Sequence, residues 1–432
     1  MKQWIAVALA LALGGVLRAQ AEGRAAVDSA WRADVKTVQL YSAATGDDPT
    51  KATPVPLLTL GEGGRLALEF DVLGAESEAL RWHVRHCDRH WVPDDLEEQE
   101  FLTGFAEGPV EEFDFSFTTL TDYVHYRCAV PDRYATFTHS GNYVLTVTTN
   151  EGNEVLLTRR FCVSEQRAGV RAVVGRPYDG MAVERRQEVD VTVGGDGLLP
   201  QYVEVEVQQN GRLDNMRWLE FSGYDGQALA YRFRPCNIFD GGNTFRWFDC
   251  SNLRTPMYNV VRIDEYGGEW LVLLKPDEDR SGKHFITETV LNGGMKPNVW
   301  DRNNPRLEAD YAWVNISLPM GQPLMDGNVY VVGALTDWQL DSTALMEYNP
   351  TMRAYTKRLL LKQGYYAYQL LMKPAGRDNG ASRTARLEGD HYETANRYTV
   401  YVYVRTPADR ADRLAGVASV VATFSGLIFY RT

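Results

Sequence analysis

The sequence contains few of the residues that redox and metal sites need: five cysteines and seven histidines in 432 residues. It has no C-x-x-C pair, so thioredoxin-like motifs and zinc ribbons lack their signature. Five is an odd number, so at least one thiol stays unpaired in any disulfide scheme. Cys236 and Cys250 lie close in sequence and form the one disulfide that we predict. The full set is Cys87, Cys128, Cys162, Cys236 and Cys250.

Catalytic and phosphate-binding motifs are also missing. No G-x-S-x-G, H-E-x-x-H or P-loop occurs in the sequence. A glycosidase needs two convergent carboxylates, and spacing singles out no pair among the 57 acidic residues. We therefore assign no catalytic, cofactor-binding or metal-binding residue. We expect no cofactor, no small-molecule substrate and no enzymatic activity, with an unrecognised hydrolase as a remaining alternative.

Positive charge is scarcer than negative charge. The sequence has 45 Lys and Arg against 57 Asp and Glu, which gives a formal net charge of −12. Nucleic acids and anionic membranes are bound through basic surfaces. The balance therefore argues against both as main partners, and it leaves protein partners open.

Long amphipathic helical stripes are absent, and a period of two dominates instead. Residues 65–72, 80–85 and 203–208 alternate apolar and polar side chains. Such segments predict strands with one face in a core and one in water. Polar residues at alternate positions, such as Asp71 and Glu206, are thus expected to face solvent.

Two local features refine this prediction. Trp82 lies between Leu80 and Val84 on the apolar side of its segment, so we expect it to be buried. Asn210-Gly211 follows the strand at 203–208 and favours a type I′ turn, because both central positions of that turn need positive φ.

Many short strands separated by Gly, Asn and Pro turns are typical of β-sandwiches. We predict an all-β protein of tandem immunoglobulin-like or early-set β-sandwich domains over residues 22–165, 166–280 and 281–432, the last with an apolar tail. Residues 1–21 have a positive start, an apolar stretch and a small-residue end, so they are predicted to be a signal peptide for export.

The densest polar cluster is W-H-V-R-H-C-D-R-H-W at residues 82–91. Its His, Cys and Asp side chains suit a metal ion or a nucleophile with its base. On a strand, however, His83, Arg85 and Cys87 share one face and His86 lies on the other, so they do not converge on one ion. We interpret the cluster as a strand end that leads into a turn.

Two uniform runs interrupt the alternation. The acidic run at residues 94–100 lacks the glycine turn and ligand spacing of a calcium loop, so we expect a solvated surface. The run from Leu414 to Tyr430 carries no charge over seventeen residues. It is slightly short for a membrane anchor, and we favour a terminal strand packed on the third unit.

The third unit resembles the early-set sandwich of glycogen- and starch-binding modules. The resemblance rests on Gly333, Asp337-Trp338 and Tyr365-Tyr366-Ala367-Tyr368. Exposed aromatics stack on sugars in such modules, but the same residues also serve as core residues in sandwiches that bind no sugar. A carbohydrate-binding protein is therefore the alternative function.

A set of blocks along the chain carries a more specific resemblance. The first unit has Trp82, Cys87-Asp88-Arg89-His90-Trp91-Val92-Pro93, Leu96, Glu100-Phe101-Leu102-Thr103-Gly104-Phe105, Asp114-Phe115-Ser116-Phe117, Tyr123-Val124-His125-Tyr126, Pro131 and Ser140-Gly141-Asn142-Tyr143. The second has Gln209-Asn210-Gly211-Arg212-Leu213-Asp214-Asn215 and Gly241-Gly242-Asn243-Thr244-Phe245-Arg246. The third has Gly389-Asp390, Glu393-Thr394, Asn396-Arg397-Tyr398, Tyr403, Arg405 and Asp412-Arg413-Leu414-Ala415-Gly416.

In this order, from about Val35 to Gly416, the blocks resemble the plug protein family of the type IX secretion system. The resemblance implies a periplasmic, non-enzymatic protein at the inner face of the outer membrane. Such a plug docks on the periplasmic mouth of a very large β-barrel translocon subunit and seals the idle channel. It implies no cofactor and no catalytic residue. The sequence does not identify which residues form the interface with the barrel.

Overall fold

The structure is a computed structural model that describes residues 25–43, 55–152, 154–286, 288, 291–375 and 383–422. Short strands dominate this part of the chain, which confirms the predicted all-β class. Its α-helices have one turn each: α1 (Glu98–Phe101), α2 (Pro305–Glu308) and α3 (Ala385–Glu388). Within the same described residues, no helix is both long and apolar enough to cross a membrane. The predicted signal peptide, residues 1–21, lies outside them.

The first sandwich contains strands β1 to β12. They are β1 (Ser29–Ala30), β2 (Val35–Ser42), β3 (Leu57–Thr59), β4 (Leu66–Leu73), β5 (Leu80–Cys87), β6 (Leu102–Thr103), β7 (Glu107–Val110), β8 (Glu112–Phe115), β9 (Tyr123–Val130), β10 (Thr136–Phe137), β11 (Gly141–Thr149) and β12 (Val155–Ser164). One sheet has the order β1-β12-β11-β5-β7, with β3 on β12, and the other has the order β2-β4-β9-β8. Strands β6 and β10 form a separate pair.

Alternate residues of both sheets fill the first core, as their period of two predicts. Phe70 of β4 stacks on Tyr126 of β9, and Tyr143 of β11 stacks on Phe161 of β12. Trp82 is only 2% exposed, so its predicted burial is confirmed. A Cβ at Gly108 of the neighbouring β7 would lie 2.8 Å from the Trp82 ring, so glycine gives the indole its space.

The second sandwich begins with strands β13 to β19. They are β13 (Gly169–Gly175), β14 (Arg186–Gly194), β15 (Val203–Gln209), β16 (Arg217–Leu219), β17 (Gly223–Asp225), β18 (Ala228–Tyr231) and β19 (Ile238–Asp240). One sheet has the order β13-β14-β18-β17, with β19 on β14. In the turn after β15, Asn210 and Gly211 have φ of 55° and 71°, the positive values that the predicted turn needs.

The third sandwich contains strands β20 to β28. They are β20 (Arg246–Asp249), β21 (Val260–Tyr266), β22 (Glu269–Leu274), β23 (Met295–Pro297), β24 (Tyr311–Pro319), β25 (Gly327–Val332), β26 (Glu347–Asn349), β27 (Ala354–Lys362) and β28 (Gly364–Pro374). One sheet has the order β20-β28-β23, with β25 on β28, and the other has the order β21-β22-β24-β27-β26.

The last two strands return to the second sandwich. Strand β29 (Arg397–Val404) pairs with β15, and β30 (Arg413–Val421) pairs with β29. Their apolar residues join one core with β14 and β15. The pairing therefore differs from the linear division at 166–280 and 281–432, because the third sandwich is inserted into the second. Alternation predicts that a segment is a strand, but it does not reveal which sheet the strand joins.

The apolar run from Leu414 to Tyr430 is a strand through Val421, as we favoured. It packs on the second sandwich and not on the third as predicted, with Leu414 and Ala415 fully buried. Residues 423–430 of the run lie outside the described residues.

Candidate functional site: the junction of the first and third sandwiches

A group of buried charged residues lies where the outer face of the sheet β2-β4-β9-β8 meets the third sandwich. Glu69 and Asp71 alternate with the core residues of β4, and the sequence predicted that they face water. They are instead buried, at 5% and 0% exposure. Residues around β24 and β27 of the third sandwich cover this face, so the prediction was wrong for these two side chains.

Asp71 is the centre of a network across the junction. Its carboxylate accepts hydrogen bonds from Tyr311 Oη (2.6 Å) and Lys362 Nζ (2.7 Å), and its Oδ1 lies 2.7 Å from His125 Nδ1. Lys362 Nζ also donates to the carbonyl oxygen of Arg306 (2.7 Å) and lies 4.1 Å from the centre of the Tyr123 ring. A buried carboxylate is tolerated when charged and hydrogen-bonded partners surround it in this way.

The electrostatics of the junction favour an ionised Asp71. Burial alone would raise the pKa of its carboxyl, but the charge of Lys362 and the hydrogen bond with His125 outweigh burial and hold that pKa below its ordinary value. Burial and the Asp71 charge together raise the pKa of Tyr311 well above its ordinary value, so the phenol keeps its proton and donates it.

A cleft of about 300 Å³ opens beside this network. Its lining includes Gln39, Glu69, His125 and Arg306. Arg306 Nη2 donates to Glu69 Oε1 (2.9 Å), and His125 Nε2 lies 3.8 Å from Glu69 Oε2 without a hydrogen-bond partner among the described residues. Most of the charged side chains at the cleft are thus paired with one another at the junction of the two sandwiches. The arrangement fastens the two sandwiches together.

Further contacts extend this junction. Asp310 accepts hydrogen bonds from the backbone N–H groups of Leu120 (2.6 Å) and Thr121 (3.0 Å) in the first sandwich. Arg159 of the first sandwich donates to Asp337 of the third (2.7 Å).

The first and second sandwiches have a junction of their own. Trp91 and Cys162 pack in one cluster with Tyr401, Tyr403 and Leu414. Arg89 Nη1 donates to Asp412 (2.7 Å), and Arg89 also donates its backbone N–H to that carboxylate (2.8 Å). Glu206 was predicted to face water, but it is 1% exposed because the first sandwich covers its side of β15. Burial raises its pKa to about 7.

The polar cluster at residues 82–91 is a strand end, as we interpreted it. His86 Nδ1 lies 2.6 Å from Asp94 Oδ2 on the buried side, whereas His83 is half-buried beside Glu107. Cys87 is buried, and burial raises the pKa of its thiol far above the usual range. Among the described residues, no group of three or more His, Cys, Asp or Glu side chains is arranged to hold a metal ion.

Some carboxylates of the acidic run at 94–100 form hydrogen bonds within the protein. Asp94 pairs with His86, and Glu100 accepts from the Glu97 N–H at the start of α1 and from Arg410. The run is therefore less uniformly solvated than we predicted, and two of its carboxylates have local structural roles.

The five cysteines, Cys87, Cys128, Cys162, Cys236 and Cys250, are all free thiols. The predicted disulfide between Cys236 and Cys250 is therefore wrong. Cys250 is buried in the third core, and Cys236 packs against the second. Their short separation in sequence spans the boundary between two sandwiches, which places the side chains in different cores.

The aromatic residues that resembled a sugar-binding module have packing roles. Trp338 is half-buried and contacts Phe245, with ring centres 6.1 Å apart. Tyr366 and Tyr368 are buried in the third core. Tyr365 is half-buried and stacks on Trp247. A sugar would have to displace protein contacts to stack on Trp338, Tyr366 or Tyr368.

Comparison with known proteins supports the resemblance over the first sandwich. Residues 35–165 match the family model described as the type 9 secretion system plug protein 1st domain. The suspected family is thereby confirmed for this part of the chain. The matched residues include β4 and β9 of the junction and all of the blocks quoted for the first unit.

A solved structure is similar to nearly the whole chain. It is a crystal structure of a hypothetical protein from Parabacteroides merdae ATCC 43184, with 28% sequence identity and a TM-score of 0.87. The alignment covers 92% of this chain and 100% of that one. No curated protein matches the chain.

The residues of the junction were not found by sequence reasoning. Asp71 and Lys362 lie 291 positions apart, and the polar side of the Asp71 strand was predicted to face solvent. Only the covering of one sandwich by another brings them together. No local motif signals this contact.

Proposed function

We propose that this chain is a non-enzymatic, exported plug of the type IX secretion system. In this role it resides in the periplasm, docks on the periplasmic mouth of the large outer-membrane barrel and seals the channel while it is idle. The observation that carries the proposal is the match of residues 35–165 to the first domain of the plug protein.

The way in which the sandwiches are joined supports a sealing role. A stopper has to keep its shape under load, and close-packed sandwiches deform little. Buried charged and hydrogen-bonded contacts, such as Asp71–Lys362 and Arg89–Asp412, connect the first sandwich to the other two. Relative motion of the sandwiches would separate these partners, and breaking a buried pair costs about 3–5 kcal/mol.

The chemistry of the junction supports a non-enzymatic role. Asp71 is fully buried, and its two oxygens are occupied by Tyr311, Lys362 and His125. A general acid or base has to reach the substrate proton at about hydrogen-bond distance. Asp71 has no such access, so the network is better suited to fastening than to proton transfer.

Affinity purification of the tagged full-length protein from membranes tests the proposal. We expect recovery of a very large barrel subunit, and a tagged periplasmic protein of unrelated fold serves as the control. A stopper has to leave before cargo passes, so the complex is expected to be reversible and to weaken at high salt if charge contributes to docking. Recovery of polysaccharide without any barrel subunit would refute the plug and favour the carbohydrate-binding alternative.

A further inference from the structure

One edge of the first sandwich exposes both apolar side chains and backbone groups. Strand β8 is the outermost strand of the sheet β2-β4-β9-β8, and all four of its residues are exposed. Phe113 is 44% exposed and Phe115 is 49% exposed, and their rings are 5.9 Å apart. Phe117 continues the series at 48%. A row of exposed phenylalanines on an edge strand is a template for pairing with another chain.

The hydrogen-bond pattern shows which backbone groups of this edge face outward. Ser116 donates its N–H to the Tyr123 carbonyl, which continues the ladder with β9. Alternate residues of an antiparallel ladder point their N–H and C=O groups away from the partner strand. Phe113, Phe115 and Phe117 are the alternate residues here, so their backbone groups point away from β9.

The third sandwich already uses one of these outward groups. Phe117 donates its N–H to the carbonyl oxygen of Leu307, at 3.1 Å. The edge is therefore extended within the molecule at Phe117. At Phe113 and Phe115 the described residues contribute no further strand to this edge.

Several of the usual protections of an edge strand are missing here. Exposed edges are commonly protected by Lys, Pro or a bulge, and residues 111–117 contain no Lys, Arg or Pro. The four pairs between β8 and β9 are continuous, without a shift in register. Acidic side chains accompany the phenylalanines instead, at Glu111, Glu112 and Asp114, all exposed.

We propose that the outer edge of β8 receives an extended segment of the translocon barrel subunit as an additional strand. The inference rests on the proposed plug function and assigns its docking surface. Backbone groups of Phe113 and Phe115 would pair with the added strand, which is the usual origin of affinity in β-strand addition. The acidic side chains select a segment in which basic residues alternate with apolar ones, because opposite charges on neighbouring strands stabilise the pair. The bond between Phe117 and Leu307 fixes the end of the edge next to the third sandwich.

Site-specific photocrosslinking in the full-length protein tests this surface. The photoreactive amino acid p-benzoylphenylalanine replaces Phe113 or Phe115 in cells that make the barrel, and it replaces Tyr266 as the control. Tyr266 is 79% exposed and lies in β21, an edge strand of the third sandwich, so it is, like the test sites, an exposed residue of an edge strand. We expect a covalent adduct with the barrel subunit from positions 113 and 115. We expect no such adduct from position 266.

Charge reversal provides a second readout. The double variant Glu112→Lys and Asp114→Lys should lose recovery of the barrel, while Glu265→Lys in β21 should retain it. All three substitutions are at exposed positions, and an unchanged melting temperature would show that the fold is intact.

The outcomes separate the two proposals. If the unmodified protein recovers the barrel but positions 113 and 115 give no adduct, or adducts only with a second copy of this chain, the docking surface is elsewhere and this inference fails. If the unmodified protein recovers no barrel at all, the plug function itself fails.

Discussion

Single residues at the junctions between sandwiches carry buried charge that is balanced by specific partners. Asp71 and Lys362 are 0% and 2% exposed, and they join the first sandwich to the third. Glu206 is equally buried beside the junction with the second sandwich, but Arg160 and Gln208 offset its burial only in part, so its pKa remains raised. The two carboxylates therefore respond differently to substitution and to pH.

Replacing Lys362 should weaken the fold through the Asp71 carboxylate. In Lys362→Met, that carboxylate keeps Tyr311 and His125 but loses its charged amine, and breaking a buried pair costs about 3–5 kcal/mol. We expect a fall of this size in the free energy of unfolding, measured by denaturant titration. Lys296→Met, at the exposed rim of the same cleft, is the matched control and should change little. Equal stability of the two variants would show that the pair does not fasten the junction.

Glu206→Gln should stabilise the protein in a pH-dependent way. The pKa of Glu206 is about 7 in the folded protein, above the ordinary value, because burial disfavours the ionised form. Below the unfolded-state pKa of about 4.3 both states are protonated, so the carboxyl imposes no penalty. The penalty grows as pH rises from about 4.3 to about 7 and is then constant, on the order of 4 kcal/mol.

Melting curves of wild type and Glu206→Gln across this pH range provide the measurement. The advantage of the variant should be small at pH 4 and greatest above pH 7. Glu204→Gln is the control, because Glu204 lies in the same strand and is exposed. A pH-independent difference at Glu206 would show that its carboxyl is not desolvated in the folded protein.

At the scale of elements, alternation predicted the strands and their core-facing residues but not their surroundings. The period of two in β4 and β15 correctly assigned Phe70 and Val205 to cores. It also assigned Asp71 and Glu206 to water, because a sequence cannot show that a second sandwich covers a polar face. The sheet that β29 and β30 join was not predicted for a related reason. Strand β29 pairs with β15, which lies nearly two hundred positions earlier in the sequence.

The candidate site shows the same limit. Its residues come from β4, β9, β24 and β27, which belong to two sandwiches. Each residue taken alone looks like an ordinary surface position of a strand. The plug resemblance was recognisable from ordered blocks because those blocks consist mainly of core and turn residues, which local sequence does specify. Contacts between sandwiches depend on tertiary packing, and no short pattern records them.

Strand β30 offers a test of how the second sandwich is closed. A Cβ at Gly416 would lie 2.6 Å from the Ala168 carbonyl oxygen and 3.0 Å from Val170 Cγ2. Gly416→Ala should therefore push β30 away from β13 and cost about 1–3 kcal/mol. Gly175→Ala, in β13 with nothing within 4 Å of its Cβ, is the matched control. Backbone amide hydrogen exchange in β29 and β30 should become faster in Gly416→Ala and should not change in Gly175→Ala. Unchanged exchange in both variants would mean that β30 does not approach β13 this closely in solution.

At the scale of the whole molecule, the insertion of the third sandwich into the second affects rigidity. The chain enters the third sandwich after β19 and returns through β29, so two connections link these sandwiches. The first sandwich is fastened to both by buried polar contacts. A body joined in this way suits a stopper, since hinge motion at a single linker would let a channel leak around it.

Deletion of the gene tests this function without relying on any single contact. A channel wide enough for folded cargo conducts large polar compounds when it is open, so loss of a stopper should make the outer membrane permeable to antibiotics that ordinary porins exclude. The leak should require the barrel, and deletion of both genes should restore the barrier. Export of cargo should persist in the single deletion, because a stopper gates the channel and does not drive transport. Measured sensitivity to large antibiotics provides the readout, with re-expression of the wild-type protein as the control for indirect effects. Unchanged sensitivity in the single deletion, with the barrel demonstrably present in the outer membrane, would count decisively against the plug function.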